Sequence, residues 1–171
     1  MNELEQSTRY RTDQAKNLVG FLVGDVHYAV EIHRVREIVN PLTVVGLPHA
    51  PTEVVGVTDH RGQVLPVVDL RLRFGLRTAP ATRRTKWLIV RMPGVPVALV
   101  VDAVSEVFGA GKQHQREVPD IGGGQEQRGI TLVYSYNGGL VFVVDPERVA
   151  DATKNLAMPS AVEVAQLGEG A

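Results

Sequence analysis

The sequence contains no cysteine, which removes a disulfide framework, a thiolate metal site and a thiol nucleophile together. That agrees with an expectation of a cytoplasmic protein. Aromatic residues make up 5% of the 171 residues, so a platform of stacked rings for single-stranded nucleic acid is poorly supplied. An excess of one charge is missing too: 18 Lys and Arg stand against 19 Asp and Glu, a formal net charge of -1. No general attraction to nucleic acid or to an anionic membrane follows from that balance, and any charged interface must be local. No apolar run approaches the roughly 20 residues a membrane helix requires, so direct membrane insertion is not expected. Met1 to Lys16 is polar and mixed in charge, without the apolar stretch or cleavage site of a signal peptide, and reads as a flexible N-terminal arm.

Valine is abundant, about twice as frequent as leucine, and clusters in short runs between Gly and Pro. β-Branched residues in such runs favour strands over long helices, which predicts a mainly β protein. From Leu18 to Val30 the chain reads as two strands joined by a turn at Gly24 and Asp25. Ile32, Val35, Ile38 and Val39 then fall at spacings of three and four, which predicts a short helical turn with one apolar face. This stripe reads either as core alone or as core with one residue left at a partner groove.

The same order of events returns from Trp87. Leu88 to Val90 is a strand, Pro93 and Gly94 a turn, Val97 to Val101 a second strand, and Val101, Val104, Val107 and Phe108 repeat the helical spacing. Glu31 to Val39 aligns with Val100 to Phe108, placing Glu37 opposite Glu106. Thr58 to Asp69 aligns with Tyr134 to Asp145, placing Gly62 opposite Gly138 and Asp69 opposite Asp145. Two copies of one unit imply two similar halves, and short strands with Gly/Pro turns favour small barrels, whose closure removes exposed edges. Residues 70–86 connect the halves and carry Arg71, Arg73, Arg77, Arg83, Arg84 and Lys86. Glycines at Gly122, Gly123 and Gly124 mark an expected mobile loop. Asp145, Pro146 and Glu147 form a helix opening, with a helix expected over about residues 146–156 and a loose tail over 159–171.

No chemistry emerges from the polar residues. Gly109 to Gln113 resembles the end of a phosphate-binding loop, but Gln113 replaces the required Ser or Thr and Glu106 stands where the motif needs Gly. The histidines, His27, His33, His49, His60 and His114, form no i, i+4 pair for a metal. No Gly-x-Ser-x-Gly elbow is present. Asp69 and Asp145 match in the repeat, so strand-end capping explains them more simply than acid-base catalysis. The expectation is a non-enzyme with no cofactor and no metal. The basic segment Arg71 to Lys86, with Phe74 and Trp87, leaves open an alternative as a small-barrel nucleic-acid-binding protein.

Val35 to Ile38, Gly56 to Thr58, Arg61 to Leu70 and Val100 to Val107, in that order, resemble the CheW family of bacterial chemotaxis coupling proteins. The resemblance covers about residues 17–156. It implies two tandem SH3-like five-stranded β-barrels with short helices and a C-terminal helix. The domain would span residues 17–158, with a first barrel over about 17–76, a second over about 86–144, and strands open to exchange between halves. It further implies an adaptor that couples chemoreceptor cytoplasmic tips to the regulatory domain of a CheA-type histidine kinase, in chemotaxis or a related motility pathway. Val35, Gly56 and Arg61 match family positions associated with receptor coupling, with Glu37, Ile38, Val57 and His60 as neighbours in the same groove. Arg61 would contact a partner or brace its own turn. Asp59 and His60 depart from the family's more usual amide followed by an apolar residue.

Overall fold

The computed structural model describes residues 17–109, 111, 114–118 and 129–169. The expected N-terminal arm and the three glycines at 122–124 lie outside the described residues. The first repeat comprises β1 (Asn17–Val23), β2 (Val26–Glu31), a 3-10 turn at Ile32–Arg34, β3 (Val35–Val39), β4 (Val54–His60), β5 (Gln63–Asp69) and α1 (Leu70–Arg73). The second comprises β6 (Lys86–Val90), β7 (Val97–Val101), β8 (Ala103–Gly109), β9 (Gln115–Arg116), β10 (Ile130–Tyr136), β11 (Gly139–Val144) and α2 (Pro146–Val149). A 3-10 turn at Asp151–Thr153 and α3 (Ala161–Glu169) follow.

The helical reading of Ile32 to Val39 is corrected. Only Ile32–Arg34 is helical, and Val35–Val39 is a strand. The three-residue spacing from Val35 to Ile38 records a β-bulge: Val35 pairs with Val90 but Glu37 with Ile89, leaving Arg36 as the extra residue. Val104 and Val107 carry the same feature in β8, opposite Phe21 and Val19. A bulge resets strand alternation and so imitates half a helical turn. The C-terminal region also differs. The helix opening at Asp145 is present, its carboxylate accepting from the Glu147 N–H at 2.9 Å, but α2 ends at Val149. The residues read as a loose tail instead contain α3, started by a reciprocal capping box: the Ser160 N–H donates to Glu163 Oε2 at 2.7 Å and the Glu163 N–H to Ser160 Oγ at 3.2 Å.

A six-stranded sheet has the order β8-β1-β2-β11-β10-β9 and a five-stranded sheet the order β3-β6-β7-β5-β4. Each sheet therefore mixes the repeats. The β1–β2 hairpin of the first repeat completes the sheet of the second, and β6–β7 completes the sheet of the first. The registers match: Val143 faces Ala29 across the parallel β11–β2 pair, as Val67 faces Ala98 across β5–β7. The two-residue β9, whose counterpart in the first repeat is only the single bridge of Val45 to Val57, makes the first sheet six-stranded rather than five.

The exchange explains the continuous apolar runs. Leu18, Ala29, Phe108, Val141 and Val143 form a core within the six-stranded sheet, and Leu65, Val67, Trp87, Ile89 and Ala98 form one within the five-stranded sheet. Alternate residues of the same strands point the other way. Val19, Phe21 and Val30 meet Val68, Leu88, Val90 and Leu99 in a third core between the sheets. Strands buried on both faces cannot alternate apolar with polar. Each such side chain contributes about 1.5–3 kcal/mol when fully buried, so this shared core, and not the linker, holds the halves together.

Candidate functional site

The β4–β5 hairpin closes on Arg61 and Gly62, with φ of 54° and 79°. Positive φ at both central residues is the two-residue turn that suits the twist of paired strands. The second repeat makes the same turn with Asn137 and Gly138, at 49° and 77°. Arginine in this region costs about 1–2 kcal/mol of backbone energy. The turn is braced by the Gly62 N–H, which donates to Asp59 Oδ1 at 2.9 Å.

The strain places a guanidinium over β3. Arg61 Nη2 donates to Glu37 Oε1 at 2.7 Å, and His60 Nε2 lies 3.1 Å from Glu37 Oε2. Each oxygen of one carboxylate thus has its own partner. β3 and β4 are the two edges of the five-stranded sheet, so Glu37 ties those edges together. Arg36 Nη1 donates to Gln63 Oε1 at 3.2 Å beside it. The hydrogen bond from His60 holds the Glu37 carboxyl below its ordinary value, helped by the charges of Arg61 and Arg36 and opposed by partial desolvation. The Arg61 side chain is 72% exposed although it is paired, which leaves N–H donors turned to solvent.

Gly56 sits in the middle of β4 with φ of 150°, and a Cβ there would collide with the Val45 carbonyl and lie 2.8 Å from Val44 Cγ1. The reason is a strand-like bridge. Val45 and Val57 exchange N–H···O bonds at 2.8 Å in both directions, so the segment after β3 runs directly against β4. Thr58 Oγ1 adds a bond to the Thr43 carbonyl at 2.8 Å.

Of the seven residues expected at the groove, Glu37, His60 and Arg61 touch one another. Ile38 is exposed on β3, and Val35 is half-buried against the central core. Gly56 and Val57 are buried beneath residues 44–45, and Val57, with no exposed surface, belongs to the core. Arg36, Gln63 and Val45 were not legible as participants. Gln63 could have been found as the cross-strand partner of His60 once the two-residue turn was assigned.

Three of the six cations in the basic segment are committed internally. Arg71 Nη1 donates to Asp102 Oδ2 at 2.6 Å, Arg73 Nε to the Val149 carbonyl at 3.1 Å, and Lys86 Nζ to Asn40 Oδ1 at 2.6 Å. The nucleic-acid alternative gains no support. Asp69, like Asp145, accepts from the backbone two residues on, at Arg71 N. Among the described residues no group of three or more His, Asp or Glu is arranged to hold a metal, and no helix is long and apolar enough to cross a membrane.

The model of the CheW-like domain matches residues 17–154. The chain belongs to the CheW-like family. It is 32% identical over 146 residues to the chemotaxis protein CheW of Rhizobium meliloti, covering 85% of this chain and 94% of that protein. It is 42% identical over 85 residues to the protein FrzA of Myxococcus xanthus, covering 47% of this chain and 50% of FrzA. The crystal structure of the scaffolding protein TtCheW from Thermoanaerobacter tengcongensis superposes with a TM-score of 0.70 at 24% identity, covering 77% of this chain and 89% of TtCheW. The fold is the CheW fold of two SH3-like halves. The CheW-like match takes in both sheets and the Glu37–Arg61 corner, and it ends before α3.

Proposed function

We propose that this CheW-like chain is an adaptor without an active site, which binds a chemoreceptor cytoplasmic tip and the regulatory domain of a CheA-type histidine kinase at once. Holding both raises their effective concentration for each other. The setting is the bacterial cytoplasm, and the output chemotaxis or a related motility response. The carrying observation is the Arg61 guanidinium, kept over Glu37 at a strained turn yet largely open to solvent. A side chain needed only to brace its own turn gains nothing from that exposure, because an exposed pair contributes about 0–1 kcal/mol. The free donors suit carboxylates or carbonyls at the helical tip of a receptor. Ile38 adds apolar area beside them, and Gly56 keeps the segment 44–45 seated so that the corner retains its shape. Titration of the purified chain with the kinase regulatory domain and with a receptor-tip fragment from the same system tests the reading. Binding to both in one complex is expected, and no binding to any kinase of that system at high protein concentration would sink it.

A further inference from the structure

α3 lies beyond residues 17–154, the span of the CheW-like match, yet it is folded onto the first repeat. Nine residues are too few to hold a helix in water unaided, and Gly168 weakens this one further. Docking must therefore maintain it. The helix packs on β4 and β5, and Val164 is the one buried side chain among its described residues. Val162 and Leu167 stay 67% and 53% exposed. Beside Gln166 and Leu167 a cavity of about 810 Å³ opens towards Leu47, His49 and Met158. The contact is thus narrow. Apart from Val164 it includes Gly168, where a Cβ would lie 3.9 Å from Val45 Cγ2. Val45 is the residue that exchanges both N–H···O bonds with Val57, next to Gly56 and three positions before His60.

We infer that α3 is a clamp on the receptor corner, with Val164 as its positioning residue. Docked, α3 backs Val45, keeps the Val45–Val57 bridge closed and steadies β4, whose end carries His60 and Arg61 against Glu37. Released, the helix melts and the segment at Val45 loses that backing. The groove then has to be ordered by the partner, which lowers affinity. A narrow contact suits such a device, because an element held by few buried groups opens at a lower free energy than the core strands. Affinity for the receptor tip is therefore set by the C-terminal helix as well as by the corner itself. The effect on affinity rests on the adaptor reading, whereas the effect on the bridge stands without it.

The test compares the full chain as wild type, Val164→Asp, Leu167→Ser, and Val164→Asp combined with Val45→Cys and Gly168→Cys. The chain has no cysteine of its own, so within a monomer the engineered pair closes a disulfide only between α3 and position 45. Each form is followed by amide hydrogen exchange and by titration with the receptor-tip fragment. Val164→Asp is expected to speed exchange at Val45 and Val57 by about tenfold or more, to leave Val67 and Leu99 protected as in wild type, and to weaken tip binding several-fold. Leu167→Ser should match wild type in both measurements. The cysteine form should bind as wild type does when oxidised and as Val164→Asp does when reduced, a reversal that a general loss of stability would not produce. Wild-type exchange at Val45 and Val57 in Val164→Asp overturns the clamp, and so does faster exchange there with unchanged affinity for the tip. A wild type that does not bind the tip overturns the adaptor reading and the effect on affinity with it, while exchange at Val45 and Val57 still decides whether α3 holds the bridge.

Discussion

Arg61 donates to Glu37 across 2.7 Å from a backbone with φ of 54°, joining the turn that follows one edge strand to the other edge strand, beside the contact of His60 with the same carboxylate. The local cost of the turn and the modest value of an exposed ion pair roughly cancel. Removing the guanidinium therefore separates binding from folding. Arg61→Asn, the residue type that the second repeat uses at the same turn, tolerates the left-handed backbone and should leave the denaturation midpoint unchanged or slightly raised. Receptor-tip affinity should fall several-fold in a titration. Arg61→Glu should lower it further through repulsion with Glu37, and a thermal melt should stay cooperative. A collapsed melt for both variants would make Arg61 chiefly structural.

Gly56 makes the opposite prediction. Its φ and the position of the Val45 carbonyl leave no room for a Cβ. Gly56→Val must displace residues 44–45 and break the Val45–Val57 bridge, at a cost of about 2–4 kcal/mol in urea denaturation. Amide exchange at Val45 and Val57 should accelerate before that of Val67 or Leu99 in the core. Equal protection of all four amides in the variant would contradict the account.

Asp102 anchors the β1–β2 hairpin to the opposite repeat. Its Oδ2 accepts from the Gly24 N–H and from Arg71 Nη1, each at 2.6 Å. Asp102→Ala strands both donors in a half-buried place and should cost about 1–2 kcal/mol. Asp102→Asn keeps an acceptor and should cost less. A double-mutant cycle with Arg71→Ala should give a coupling above about 0.5 kcal/mol, and additivity would show that the pair contributes nothing.

Glu37 gives the corner a pH dependence. Its folded carboxyl titrates below the ordinary value because the His60 hydrogen bond, aided by Arg61 and Arg36, favours the charged form. The folded state thus binds that proton less readily than the unfolded chain does. The contribution is fully present above the ordinary glutamate value and is lost as pH falls through the depressed one. The stability difference between wild type and Glu37→Gln should be constant near neutrality and shrink in acid. A difference that grew in acid would reverse the assignment.

Hairpins, turns and strand-end caps were legible from the chain alone, because Gly24, Gly62, Asp69, Gly138 and Asp145 act within a few residues of themselves. The duplication was legible as well. Where a signal depended on a partner strand it misled. Val35, Ile38, Val104 and Val107 read as helical because a bulge, set by pairing with β6 and β1, produces the same spacing. Three of the groove residues do converge, but nothing local says that Glu37 would meet a turn 24 positions away, or that Val57 would be wholly buried under a bridge from Val45.

The sequence by itself determined that there would be two copies of one β unit, since periodicity, turn residues and β-branched runs are properties of short segments. Only the tertiary structure decided which hairpin joins which sheet. Ala29 and Ala98 offer parallel β5 and β11 equivalent edges, so local sequence cannot choose between them. The choice lies with the core shared by both sheets, in which Phe21 and Val30 must pack against Leu88 and Leu99. The same packing set Glu37 against His60 and Arg61.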